Sequence, residues 1–151
     1  MRVLVCGSRN WNNWQMVWET LDGIYQAHEM GYAVAHLDTF TLIEGGANGA
    51  DRAAANWAMS SPTHSYNERR NDLPFEHIQV PAEWERWGGK AAGPIRNRQM
   101  LKLNPDLVVA FKNDFNWKMD KGGTEDMVKI ASEAGVECRV LSCLNYISRG
   151  G

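Results

Sequence analysis

Short apolar runs alternate along this chain with segments whose apolar side chains recur at helical spacing. The apolar runs, each of strand length, lie at 2–6, 39–43, 75–80, 106–111 and 137–141. The helical segments lie at 12–30, 47–59, 93–103 and 123–134. This alternation predicts an α/β fold, a single Rossmann-like domain in which helices cover both faces of a mostly parallel sheet of five strands.

The length and composition are those of a globular domain that spans residues 1–151. Of the 151 residues, 44% are hydrophobic and 23% are charged, which is enough apolar material for a core. The segment 60–74 is polar and contains two prolines. We expect it to be a surface excursion from the domain.

Charge and cysteine usage narrow the choice of partner and compartment. The formal net charge is −2, which makes a nucleic-acid partner unlikely, and no apolar run approaches the roughly 20 residues of a membrane span. The apolar run at the N-terminus is too short for a signal peptide. The three cysteines form no C-x-x-C pair, so we expect a reducing, cytoplasmic location.

The motifs of several common cofactor sites are missing. The first strand is not followed by G-x-G-x-x-G, and no G-x-x-x-x-G-K-[ST] sequence occurs, which argues against a standard dinucleotide site or a Walker-type ATPase. The four histidines show no metal-ligand spacing, and no serine nucleophile elbow is present. We expect neither a cofactor nor a metal.

Three glycine-bearing junctions carry the main functional signal. They are Gly7-Ser8-Arg9, Gly45-Gly46-Ala47-Asn48-Gly49-Ala50-Asp51 and Gly122-Gly123-Thr124. Each lies where a strand would lead into a helix, and such turns gather at the carboxyl edge of a parallel sheet. Backbone N–H groups and helix N-termini favour anions there, so the junctions predict a pocket for a phosphate-bearing small molecule.

Each junction also has a purely structural interpretation. Gly7 and Arg9 fit either phosphate binding or an ordinary strand-to-helix turn, and the glycines at 45–49 fit either ligand contact or close packing of helix on strand. Asp51 either caps its helix or holds a ribose hydroxyl. Thr124 is a candidate N-cap, with Asp126 in the first helical turn.

The predicted helix at 93–103 contributes Arg96 and Asn97 to the same candidate site. Pro94 suits the first helical position. Arg96 and Arg98 are two positions apart and point in directions about 200° apart on a helix, so only one of them can face a pocket. The other is expected at the surface.

Two groups of aromatic residues each allow two interpretations. Trp84 and Trp87 follow the third strand, where they either stack on a nucleotide base or hold a loop against the domain. On the first helix, Trp14, Trp18 and Tyr25 form a second apolar stripe beside the one that faces the sheet. Unless another segment of the chain covers this stripe, it predicts a homo-oligomer.

Taken together, the glycine junctions and the stretch Gly93-Pro94-x-Arg96-Asn97 resemble the SLOG superfamily, and within it the YspA-type branch. The superfamily includes the lonely-guy cytokinin-activating phosphoribohydrolases and the DNA-processing protein DprA. The resemblance covers nearly the whole chain except 60–74. It implies a Rossmann-like fold and a nucleotide or nucleotide-derived ligand bound by Gly7, Ser8, Arg9, Gly45, Gly46, Gly49, Asp51, Arg96, Asn97, Gly122, Gly123 and Thr124.

The resemblance to the phosphoribohydrolases has one departure. Their R-K-x-x-M stretch is matched by Arg96 and Met100, but the glutamate of P-G-G-x-G-T-x-x-E is replaced by Met127. Methionine cannot accept a proton. Asp126, one position earlier, substitutes only if the shorter glycine turn shifts the helix register. The resemblance therefore implies a nucleotide binder first, a phosphoribohydrolase with Arg96 and Asp126 as catalytic residues second, and a DprA-like nucleic-acid module third.

Overall fold

The computed structural model describes residues 1–32, 39–60, 75–114 and 122–143, and it contains five parallel strands with five helices between them in the described part of the chain. The strands are β1 (Arg2–Gly7), β2 (Phe40–Glu44), β3 (Phe75–Gln79), β4 (Leu107–Phe111) and β5 (Glu137–Leu141). The helices are α1 (Trp14–Tyr32), α2 (Ala50–Ser60), α3 (Trp84–Trp87), α4 (Ala92–Leu101) and α5 (Gly123–Glu133).

The strand order is β3-β2-β1-β4-β5, and all neighbouring strands are parallel. The chain builds outward from β1 to β3, then returns to place β4 on the other side of β1. Gly7 at the end of β1 pairs with Phe111 at the end of β4. Ligands of open α/β sheets bind at the carboxyl ends of strands where the order reverses in this way.

Alternate residues of β1 enter two separate cores, which confirms helices on both faces of the sheet. Val3 and Val5 belong to the core that α1 and α2 cover. Leu4 and Cys6 belong to the core on the other side, with residues of α4 and α5. The fold is therefore α/β, as the sequence predicts, and is consistent with a single Rossmann-like domain.

Most element boundaries agree with the sequence prediction to within a few residues. The short helix α3 was not predicted, and α4 begins at Ala92, so Pro94 is its third residue and not its first. The missing N–H of a proline is still harmless in the first turn. Of the predicted excursion at 60–74, only Ser60 is described, and it ends α2. No helix within the described ranges is both long and apolar enough to cross a membrane.

The aromatic stripe on α1 is smaller than the sequence predicts. Tyr25 is only 1% exposed and makes edge-to-face contacts with Phe40 and Trp57, so it belongs to the core and not to an outer stripe. Trp18 is half-buried, and its indole N–H donates to the carbonyl of Ala53. Trp14 alone of the three is substantially exposed, at 52%. A homo-oligomer through this helix stays a prediction, with Trp14 as its most exposed candidate contact.

Candidate functional site

A cavity of about 530 Å³ opens at the carboxyl edge of the sheet. It lies between the end of β1, the first turns of α2 and α5, and one side of α4. Its size is that of a small-molecule pocket. Of the predicted site residues, the cavity wall includes Gly7, Ser8, Arg9, Asp51, Arg96, Asn97, Gly122, Gly123, Thr124 and Asp126.

A second cavity, of about 360 Å³, adjoins the first. It is lined by Gly45, Gly46, Ala47 and Asn48 on one side and by Pro81, Ala82 and Trp84 on the other. Arg9, Ala47, Trp84 and Arg96 line both cavities, so they form the boundary between them. We call the two the large cavity and the small cavity. Gly49 lines neither of them.

The turn after β1 is held in place by the neighbouring strand. The backbone N–H of Ser8 donates to the carbonyl of Phe111 at 3.0 Å, and the Ser8 hydroxyl donates to the side-chain oxygen of Asn10. A Cβ atom on Gly7 would lie 2.5 Å from the same Phe111 carbonyl oxygen, so this position has no room for a side chain. The guanidinium of Arg9 lies over the Trp84 ring, 5.3 Å from its centroid.

Close packing and backbone conformation explain the glycines in the turn after β2. Gly46 and Gly49 have φ values of +72° and +79°, and a Cβ atom on Gly49 would overlap the carbonyl oxygen of Ser8. A Cβ atom on Gly45 would overlap the guanidinium of Arg96. The structure thus supplies a packing reason for Gly45 and Gly49 and a backbone reason for Gly46, and it also places Gly45 and Gly46 on the small cavity.

Asp51 folds back onto this turn. Its Oδ2 atom accepts hydrogen bonds from the backbone N–H groups of Gly45, at 3.1 Å, and Ala47, at 3.3 Å. The carboxyl group is buried, and burial is the main reason that its pKa rises from the ordinary 3.8 to about 7. The N–H group of Ala47 opposes this rise, and the neighbouring carboxylate of Glu44 adds to it. Asp51 therefore holds the turn closed and can carry a proton near neutral pH.

Arg96 and Arg98 diverge as the helical spacing predicts. Arg96 is 9% exposed, and its Nη1 atom donates to the carbonyl of Gly45 at 2.8 Å. Its buried Nε atom has no hydrogen-bond partner among the described residues. Arg98 is more than half exposed and donates to the carbonyl of Pro94. Only Arg96 lines the cavities.

Asn97 joins α4 to the start of α5. Its side-chain amide donates to the carbonyl of Gly123 and to the carboxylate of Asp126, both at 2.9 Å. The Asp126 side chain is about a quarter exposed and lies on the large cavity wall. Met127, the next residue, is fully buried in the core with Leu4. The helix register therefore directs the acidic side chain, and not the methionine, to the cavity.

The turn before α5 differs from the sequence prediction in one respect. The N-cap residue is Gly122, with a φ of +112°, and no side chain caps the helix. Thr124 is therefore not the N-cap; it lies inside the first turn, where its side chain is buried on the cavity wall. The first N–H groups of a helix have no acceptor within the helix, so those of Gly123 and Thr124 suit an anion at this end of the cavity.

Sequence reasoning missed a buried ion pair beside this turn. Lys112, the first residue after β4, lines the large cavity, and its Nζ atom lies 2.5 Å from Oε1 of Glu125. The other carboxylate oxygen of Glu125 is buried and has no partner among the described residues. The signal for Lys112 was its place directly after a strand, at the same sheet edge as Gly7. Lys90 adds a further cation to this cavity.

Other reactive groups near the site have structural explanations. Cys6 lies on the cavity floor, and burial raises the pKa of its thiol well above its ordinary value, so the thiol stays protonated. His77 contacts Oε1 of the buried Glu44 at 3.0 Å. Within the described ranges, no group of three or more histidine, cysteine, aspartate and glutamate side chains is arranged to hold a metal ion.

Comparison with known proteins relates this geometry to a family. A family model described as the YspA, cpYpsA-related SLOG family matches residues 1–87, which run from β1 through α3. The chain is also similar to the Gene 61 protein of Mycobacterium phage D29, with 33% identity over 135 residues. That alignment covers 89% of this chain and 91% of the phage protein, so the similarity continues through α4 and α5.

The raised pKa of Asp51 predicts how stability depends on pH. The folded protein holds this proton more tightly than the unfolded chain does, so ionising Asp51 costs stability as the pH rises from about 4 to about 7. Relative to an Asp51→Asn variant, which keeps an oxygen acceptor, the wild type should lose up to about 4 kcal/mol of unfolding free energy over this range. Denaturant unfolding at several pH values measures the difference. Parallel pH profiles for the two proteins would show that the pKa of Asp51 is not raised.

Proposed function

The chain belongs to the YspA, cpYpsA-related SLOG family, and from this premise we propose that it binds a nucleotide or nucleotide-derived small molecule at the carboxyl edge of its sheet. One observation carries the proposal. The first turn of α5 and four cationic side chains, those of Arg9, Lys90, Arg96 and Lys112, converge on the large cavity. Among the residues that the structure describes, two carboxylates, Asp51 and Asp126, line the same wall, and Asp51 has a pKa of about 7.

The phosphate of the ligand would lie at the start of α5. The N–H groups of Gly123 and Thr124 supply donors there, and the helix dipole favours a negative charge. Lys112 stands beside this turn with its charge already partnered by Glu125, which fixes the ammonium in place. Arg96 lines the same cavity, and its guanidinium is the planar group of donors that suits phosphate. Ser8 and Arg9 would contact the phosphate or the atoms next to it.

The sugar of the ligand would lie between α4 and α2. Carboxylate oxygens accept hydrogen bonds from ribose hydroxyls, and Asp126 presents its carboxylate to the cavity in an orientation fixed by Asn97. Asp51 lies on the wall across from it. Binding of this kind would serve a sensor or a scavenger of nucleotides. A DprA-like role on nucleic acid is less well supported, since the net charge is −2.

A second candidate function is the hydrolysis of a nucleoside 5′-monophosphate to a free base and ribose 5-phosphate. The observation in its favour is the register of α5, which puts Asp126 on the cavity wall and Met127 in the core. A carboxylate beside the sugar stabilises the positive charge that develops as the N-glycosidic bond breaks, and it can take a proton from the attacking water. Arg96 would hold the phosphate during the reaction.

The binding proposal predicts unequal effects of the two arginines on α4. Arg96→Ala removes a buried, charged donor and should weaken the binding of nucleoside 5′-monophosphates by roughly 10- to 150-fold. Arg98→Ala removes only an exposed ion pair with Asp126, 3.7 Å long, and should weaken binding far less. Isothermal titration calorimetry with AMP, GMP, CMP and UMP measures both. Since Arg96 also holds the Gly45 turn, the folding of each variant is checked by thermal unfolding, and Arg96→Lys supplies a milder change. Equal losses in Arg96→Ala and Arg98→Ala would contradict the assignment.

The hydrolase candidate predicts a different result at Asp126. If it is correct, concentrated wild-type protein releases free base from at least one nucleoside 5′-monophosphate, and Asp126→Asn abolishes the release while binding persists. Chromatography of the reaction mixture detects the base. Glu133→Gln makes the equivalent change at an exposed position of the same helix and should have no effect. A wild type that binds but releases no base eliminates the hydrolase and leaves the binder.

A further inference from the structure

The two adjoining cavities differ in chemistry, and this difference indicates how a nucleotide would be oriented. The large cavity holds Lys90 and Lys112 together with the first turn of α5, all of which favour an anion. In the described part of the chain, no lysine and no carboxylate line the small cavity. Its side chains away from the boundary are short or neutral, and they are joined by the backbone of the turn after β2.

The small cavity has a flat aromatic boundary. Trp84 is 43% exposed, and its ring lines both cavities with the Arg9 guanidinium lying over it. An indole ring and a guanidinium are both planar surfaces on which nucleobases stack. Pro81 and Ala82 bring apolar surface to the same cavity, and Asn48 brings a side-chain amide that can hydrogen-bond to the edge of a base.

The neighbouring tryptophan on the same helix has a different environment. Trp87 is equally exposed, at 41%, but it lines neither cavity. Its indole N–H donates to Glu83, and the guanidinium of Arg86 lies 4.7 Å from its ring centroid. The sequence could not separate these two tryptophans as candidates for base stacking. The structure does, because only Trp84 faces the site.

We propose that the small cavity is the base compartment of this site, that Trp84 is its stacking surface, and that the ligand spans both cavities with its phosphate in the large one. This proposal rests on the proposed function, since it requires that a nucleotide binds at this edge. Arg96 lines both compartments, so it stands where the sugar and phosphate of such a ligand would pass. Trp84 then acts on binding mainly through the base, while the first turn of α5 and Lys112 bind the phosphate in the large cavity.

Calorimetry on three variants tests this orientation. The probes are AMP, GMP, CMP and UMP, together with ribose 5-phosphate, which lacks a base. Trp84→Leu should weaken the binding of the nucleoside monophosphates that the wild type binds by about 5- to 150-fold. It should weaken the binding of ribose 5-phosphate far less, since only the contact between Arg9 and the ring is lost there. Trp84→Phe keeps an aromatic face and should restore most of the loss. Trp87→Leu, the matched control, should bind every probe as the wild type does.

These measurements distinguish a wrong base compartment from a wrong nucleotide site. If the wild type binds a nucleoside monophosphate and Trp84→Leu binds it equally well, the base compartment is wrong and the nucleotide site stands. Equal weakening of nucleotide and ribose 5-phosphate in Trp84→Leu would also overturn the orientation. If the wild type binds none of the four nucleotides, the proposed function fails and the base compartment fails with it.

Discussion

The close approach of two turns, those that follow β1 and β2, sets the geometry of the whole site. The Ser8 N–H group is tied to β4 through the carbonyl of Phe111, and the Ser8 carbonyl in turn accepts the N–H groups of Trp11 and Ala50. This packing requires the left-handed backbone and the missing side chain of Gly49. Ser8 thus connects two central strands to the first turn of α2, and it lines the large cavity itself.

Buried charge is the second constraint on the site. Three carboxylates, those of Glu44, Asp51 and Glu125, are almost entirely buried near the carboxyl edge. Each has donors close by: Glu44 accepts from Gln79 and the backbone of Gly46, Asp51 from the turn, and Glu125 from Lys112. Burying an ionised group without such partners would cost several kcal/mol. The carboxylates thereby fix the two loops and hold Lys112 at the cavity wall.

The sequence predicted the architecture and most of the cavity wall because both follow from local patterns. Apolar runs ending in glycine specify parallel strands and their carboxyl-edge turns, and residues 137–141 form a strand with the predicted bounds. The divergence of Arg96 and Arg98 also follows from helical spacing alone. What the sequence could not predict depends on tertiary packing. Tyr25 is buried because the rings of Phe40 and Trp57 surround it, and that contact joins three separate elements.

The same limit explains the errors at the site. Thr124 has the right chemistry for an N-cap, but the helix begins at Gly123 after the positive φ of Gly122, two residues earlier than that role would allow. The Lys112–Glu125 pair joins the end of β4 to the first turn of α5, a tertiary contact that local sequence patterns do not predict. Trp84 lines both cavities because it lies on the short helix α3. That helix carries no strong helical pattern of its own.

Nucleotide binding at the carboxyl edge is tested most directly by an amide chemical-shift titration of the isotope-labelled protein with nucleoside 5′-monophosphates. We expect the shifts to cluster at the carboxyl edge, at Ser8, Gly123 and Thr124, and at the indole N–H of Trp84. The amino edge of the sheet, represented by Thr39 and Asp106, should show no change. Shifts confined to the amino edge, or no shifts at saturating nucleotide, would contradict nucleotide binding at the carboxyl edge.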